Sequence, residues 1–241
     1  MPDILLEVCV DSAAGLEAAV TGGADRIELC SALALGGLTP TPGLMQRAAP
    51  MPVPVYAMIR PRAGDFIYSP VELEMMKVEI EAVRSAGLAG VVIGANRPDG
   101  RLDHAALKSL LTAAEGLGST LHRSFDLAPD IAEAVDVAAD VGFERILTSG
   151  GARTIAEGMA GIEEAFVAAR GRVSIMPGAG VTLATIEVLL SQPEVTEVHS
   201  SCSRLADMAD EKLLAFGFAS PQARSTDAAM VAALKQRLKR G

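Results

Sequence analysis

Ile4-Leu5-Leu6-Glu7-Val8-Cys9 and Asp25-Arg26-Ile27-Glu28-Leu29-Cys30 flank one compact segment, Asp11 to Gly23, with the spacing of a helix. The unit reads as strand, helix, strand, and such a crossover makes the two strands parallel and right-handed. Both strands close on the same pattern, Glu7-Val8-Cys9 and Glu28-Leu29-Cys30. Side chains alternate along a strand, so each carboxylate shares a face with the thiol two residues on. Neighbouring strands lie about 5 Å apart. Equal register is therefore expected to set thiol beside thiol and carboxylate beside carboxylate.

The same alternation continues outward from that unit. Strands are expected at Ile4–Cys9, Asp25–Cys30, Val53–Ile59, Gly90–Gly94, Thr120–Arg123, Arg145–Thr148, Val173–Met176 and Glu197–Ser200. Several are near-continuously apolar, as parallel strands buried on both faces are. The helices between them have legible ends. Ser69-Pro70-Val71-Glu72 is a capping box with proline at the first helical position, and Gly87 stops that run. Thr41-Pro42 and Pro129-Asp130 open two more, Thr182 or Thr185 starts another through Leu190, and Ser225-Thr226 opens the last, through Arg240. No linker or composition shift divides the chain, so residues 1–241 are read as a single domain. Eight strand–helix units in about 250 residues fit an α/β fold of the TIM (β/α)8 barrel type. A doubly wound sheet usually carries a glycine fingerprint after its first strand, and Cys9-Val10-Asp11-Ser12 is not one. A long loop, 201–224, follows the last strand and is expected over the C-terminal mouth, with a short helix within Leu205 to Phe216.

Composition narrows the function classes. A formal net charge of −9 argues against nucleic acid as a partner. No apolar run reaches the roughly 18 residues that span a bilayer, and Met1-Pro2-Asp3 does not begin a signal peptide. Three cysteines, an odd number in a long chain, do not make a secreted disulfide framework. The expected setting is the reducing cytoplasm, with no membrane partner.

In a barrel the chemistry lies at the C-terminal ends of the strands. There the sequence places Glu7, Cys9, Glu28, Cys30, Arg60, Arg62, His122, Arg123, Asp126, Ser149, Gly150, Gly178, Gly180 and His199. Two readings follow. Cys9 and Cys30 suit a soft metal such as Cu(I), which prefers sulfur and low coordination. Alternatively the chain is an enzyme acting on a small anionic metabolite, phosphorylated ones included. Glu7, Glu28, His122 or Asp126 would then supply acid–base chemistry. Arg60, Arg62, Arg123 and His199 would hold the anion, with the amides of Ser149-Gly150 and of Gly178-Ala179-Gly180 helping. A purely structural network is the plainer alternative, with Glu7 and Glu28 paired to Arg60 or Arg123. His104 reads as surface and Cys202 as a small buried residue. No nucleotide cofactor is indicated.

These residues resemble the CutC family, named for copper homeostasis. The matching stretches are Glu7-Val8-Cys9, Gly23 to Cys30, Gly36-Gly37-Leu38-Thr39-Pro40, Met58-Ile59-Arg60-Pro61-Arg62 with Gly64-Asp65-Phe66, His122-Arg123 with Phe125-Asp126, Ile146 to Gly150, and Met176 to Val181. The resemblance runs from about Leu6 to His199. It implies a TIM-like barrel, a cytoplasmic protein and a part in copper handling. Cys9 and Cys30 match two of the family's proposed copper-binding positions. Members with these thiols are described as Cu(I) binders that self-associate, so a homo-oligomer is expected. Ser124 stands where the family often has alanine.

Overall fold

The structure is a computed structural model that describes residues 3–207 and 210–239. Eight strands alternate with helices: β1 (Leu5–Val10), β2 (Arg26–Leu29), β3 (Val55–Met58), β4 (Gly90–Ile93), β5 (Gly118–Leu121), β6 (Arg145–Thr148), β7 (Ser174–Pro177) and β8 (Glu197–Ser200). All pair in parallel in the order β7-β6-β5-β4-β3-β2-β1-β8, and β8 returns beside β7 to nearly close a TIM barrel. The helices are α1 (Ala13–Thr21), α2 (Pro42–Ala48), α3 (Pro70–Ser85), α4 (His104–Ala113), α5 (Ile131–Val141), α6 (Ile155–Ala169), α7 (Ile186–Leu190), α8 (Glu211–Ala215) and α9 (Ala228–Arg237). Among the described residues no helix is long and apolar enough to cross a membrane.

Alternation along the strands divides the interior in two. Leu6, Val8 and Val10 of β1 and Ile27 and Leu29 of β2 point outward and are buried against the helices in the main core. Burying each such side chain stabilises the fold by about 1.5–3 kcal/mol. The alternate residues Glu7, Cys9, Arg26 and Glu28 face into the barrel and are nonetheless buried. The helix ends behave as their sequences dictate. Ser69 and Glu72 form the reciprocal capping box of α3, Thr41 caps α2 and Asp130 caps α5, whose stop is Gly142 at φ 100°.

Three expectations are corrected. The strands β1 and β2 are staggered, so Glu7 lies opposite Arg26 and Cys9 opposite Glu28, not thiol beside thiol. A closed barrel requires such stagger, and it gives Glu7 a buried counter-charge. The fifth strand ends at Leu121, and Arg123–Leu127 forms a 3-10 turn. Ser225 and Thr226 do not open the last helix. They belong to β10 (Arg224–Thr226), which pairs antiparallel with β9 (Ser203–Leu205), and Asp227 caps α9 by accepting the Met230 N–H at 3.0 Å. Arg240 lies outside the described residues, and the short helix within 205–216 is confined to α8.

Candidate functional site

The inward-facing residues of the barrel form two storeys. In the lower one, Arg26 is buried between two carboxylates. Its Nε donates to Glu7 Oε2, and its Nη2 donates to Glu197 Oε2 at 2.6 Å and to Met176 Sδ at 3.1 Å. Arg145 lies beside Glu197, with Nε 3.4 Å from Oε2, and both guanidinium groups rest over the Tyr56 ring. Ser174 donates its hydroxyl to Glu197. These groups come from β1, β2, β3, β6, β7 and β8, so the barrel floor is one ion network. Burial raises the Glu7 pKa, but Arg26 and His199 outweigh it and hold the carboxyl down at about 2.

The upper storey opens on the mouth. His199 Nδ1 lies 2.8 Å from Glu7 Oε1, and His199 Nε2 lies 3.8 Å from Glu28 Oε2. Ligand atoms of Cys9, Glu28 and His199 all fall within 4.8 Å of one another. Register produces this grouping, because Cys9 faces Glu28 on one side of β1 and Glu7 faces His199 on the other. With Nδ1–H donated to Glu7, the second ring nitrogen is left on the side of Glu28 and Cys9. Burial lowers the His199 pKa, yet Cys9, Glu28 and Glu7 outweigh it and hold the imidazole well above its usual range. Glu28 is pushed up by burial and by Glu7, and its Oε1 is buried without a partner. The Cys30 thiol donates to Glu28 Oε2 at 3.6 Å, and burial together with Glu28 and Cys9 holds its pKa well up.

Above this cluster is a cavity of about 490 Å³ whose lining includes Cys9, Glu28, Arg60, His122, Arg123 and His199. Arg60 is buried and donates to the carbonyls of Leu35, Gly37 and Gly64, and among the described residues it pairs with no carboxylate. Its guanidinium lies 4.8 Å above the Phe66 ring, which also meets His122. His122 Nδ1 accepts the Ser124 N–H, leaving Nε2 without a partner, and burial with Arg60 nearby lowers its pKa to about 3. His122 is therefore neutral.

Asp126 and the turn after β6 are spoken for. Asp126 accepts from the Thr148 hydroxyl, the Ser149 hydroxyl and N–H, the Gly151 N–H and Arg123 Nε, while Gly150 N–H donates to Thr148. Of the two amides expected to meet a ligand there, that of Ser149 already meets this carboxylate and that of Gly150 the Thr148 hydroxyl. Gly150 allows the turn to press on α6, since a Cβ at this position would lie 2.0 Å from the Gly158 carbonyl oxygen. Arg62 stands apart from the cavity in an exposed loop, bound to Asp65 and Glu72. Gly178 is wedged against Leu147 and His199, and Gly180 lines the mouth. Cys202, buried at φ 42°, lines it as well. Sequence reasoning overlooked Arg26 and Glu197, the first the direct partner of Glu7 and the second the other carboxylate Arg26 holds. The signal was present, since both have the strand parity of Glu7 once the stagger is known.

A near-closed (β/α)8 barrel with a buried Cys/His/Glu group under a C-terminal cavity defines the class of molecule. The CutC family model matches residues 4–204, and the chain belongs to that family. A CutC family protein of Rhizobium meliloti is 60% identical, the match covering 99% of this chain and 97% of the relative. One of Caulobacter vibrioides is 52% identical over 95% of this chain and 94% of its own. Among solved structures, one from Streptococcus agalactiae, described as a copper homeostasis protein CutC, is 31% identical with a TM-score of 0.78, covering 82% of this chain and 98% of its own. The 2-keto-3-deoxy-6-phosphogluconate aldolase of Zymomonas mobilis shares the fold alone, at 16% identity and a TM-score of 0.56, covering all of this chain and 93% of its own.

Proposed function

We propose that the protein takes part in copper homeostasis by holding one Cu(I) ion, its cargo, between Cys9 and His199 at the mouth of the barrel. The observation that carries this reading is the approach of the Cys9, Glu28 and His199 ligand atoms to within 4.8 Å of one another. The donor set fits: a thiolate and an imidazole are the soft and borderline ligands Cu(I) selects. Glu28, a hard oxygen, would balance charge beside the ion. Glu7 fixes the tautomer of His199, the outer contact that metal-binding histidines generally have. Cys30 lends its thiol to Glu28 and is a neighbour of the ion in this reading, not its main ligand. Loading would displace the protons of the thiol and the imidazolium, so affinity should rise with pH.

The test is competition between the reduced protein and a chromogenic Cu(I) chelator. One ion per chain is expected. Cys9→Ser and His199→Ala should each weaken binding at least about tenfold, and Glu7→Gln by about 10–100-fold. Undiminished affinity in Cys9→Ser would remove the proposal.

The size of the cavity, about 490 Å³, favours a second reading. That is the range of small-molecule sites, about 300–1,000 Å³, and far more than an ion needs. In that reading an anionic metabolite enters, Arg60 supplies the counter-charge, and Glu28 and His199 exchange protons with it. A thermal-shift screen of phosphorylated and carboxylated metabolites that raises no melting temperature would count against it.

A further inference from the structure

The two glycine turns at the barrel mouth differ in one respect. The turn after β6 has its N–H groups taken by Asp126 and Thr148. The turn after β7 has no such internal anion. Among the described residues, the N–H groups of Ala179, Gly180 and Val181 donate to no protein acceptor. Ala179 and Gly180 hold positive φ, 70° and 85°. Consecutive N–H groups in turns of this kind make a concave site for an anion.

A second segment brings charge to the same cavity. The Ser200 hydroxyl donates to the Val181 carbonyl at 2.8 Å, so the end of β8 is tied to that turn. Three residues on, Ser203 pairs with the strand that carries Arg224, whose Nε donates to Ser203 Oγ at 2.9 Å. Among the described residues Arg224 has no carboxylate partner. All of these groups, from Ala179 to Thr182, Ser201, Ser203 and Arg224, line the one cavity. Arg224 also lies beyond residue 204, where the match to the family model ends.

We propose that this side of the rim binds the phosphate of a small phosphorylated metabolite, with Arg224 and the amides of Ala179–Val181 as the phosphate contacts. A guanidinium and several convergent N–H groups suit a dianion with many acceptor oxygens. The net charge of −9 repels anions from the surface at large, so attraction at this point must be local. Leu33, Met58, Leu147 and Leu183 offer apolar wall to the rest of the molecule. The same cavity is lined by Arg60, a buried cation with an unpartnered Nε that no carboxylate among the described residues neutralises, and by the unpartnered Nε2 of His122. These two orphaned, buried groups are independent reason to expect an anionic ligand in this cavity. The inference deepens the enzyme reading and uses none of the proposed copper ligands.

The test is calorimetric titration of the metal-free protein, kept with a copper chelator, using inorganic phosphate and glycerol 3-phosphate, with glycerol as the control. Both phosphates should bind, glycerol 3-phosphate more tightly, and glycerol should not. Arg224→Ala should weaken both at least about tenfold. Arg204→Ala removes a neighbouring positive charge from outside the cavity and should weaken them less than twofold. Circular dichroism and melting temperature confirm that each variant is folded. Absence of phosphate binding in the wild type would overturn the proposal, as would equal losses in Arg224→Ala and Arg204→Ala. Phosphate binding without turnover of any phosphorylated compound would leave this site standing and remove the enzyme reading instead.

Discussion

Replacing Arg26 with methionine should be among the most damaging single changes available to this barrel. The guanidinium neutralises Glu7 and Glu197 together, and all three groups are buried. Methionine fills much of the volume but leaves two carboxylates facing each other out of water. Removing one partner of a buried ion pair costs about 3–5 kcal/mol. Here Arg145 still touches Glu197, and His199 still touches Glu7, so the lower part of that range, about 3 kcal/mol, is expected. Against a typical domain stability of about 5–15 kcal/mol this is a large fraction. Equilibrium urea unfolding of wild type and Arg26→Met measures it directly. The double variant Arg26→Met/Glu197→Gln, which removes one of the stranded charges, should regain about 1 kcal/mol or more. A loss below about 1 kcal/mol in the single variant, or no recovery in the double, would refute the account of the floor as a charge network held together by Arg26.

Two further outcomes follow from the mouth. His122 has its pKa lowered to about 3 from 6.5, so between those values the unfolded chain takes up a proton that the folded one refuses. Its contribution to stability is therefore complete above pH 6.5 and shrinks as pH falls toward 3, at about 1.4 kcal/mol per pH unit. Urea unfolding near pH 7.5 and pH 5 should show wild type losing about 2 kcal/mol more than His122→Gln, and an NMR titration placing His122 near 6.5 would contradict this. Asp126→Asn puts an amide donor among groups that all donate, and should cost about 1–3 kcal/mol. The measurement is again urea unfolding, and an unchanged midpoint would show that the turn after β6 does not depend on this carboxylate.

What the sequence disclosed and what it hid divide along a physical line. Strand parity and helix caps are local, and Arg145–Thr148 and Glu197–Ser200 are strands with the bounds expected from the sequence. The capping box at Ser69 and Glu72 is equally local. Stagger between strands is a property of closure around the whole barrel, so nothing in Glu7-Val8-Cys9 or Glu28-Leu29-Cys30 could announce that Cys9 would face Glu28. The assignment of charge partners failed for the same reason. The alternative that pairs Glu7 or Glu28 with Arg60 matches charges by type, whereas the loop after β2 reaches Arg60 with carbonyls from Leu35 and Gly37. Arg62, two residues away, belongs to an exposed loop because the chain has already left the barrel there. The grouping of His199 with Cys9 and Glu28 depends on β8 returning beside β1, a contact between opposite ends of the chain.

Asp126 is a tethered guest in its own protein's mouth. The peptide dipoles and the arginine of one bank of the mouth are satisfied by a group that cannot diffuse away. A visiting anion would meet on that bank a carboxylate that already fills it.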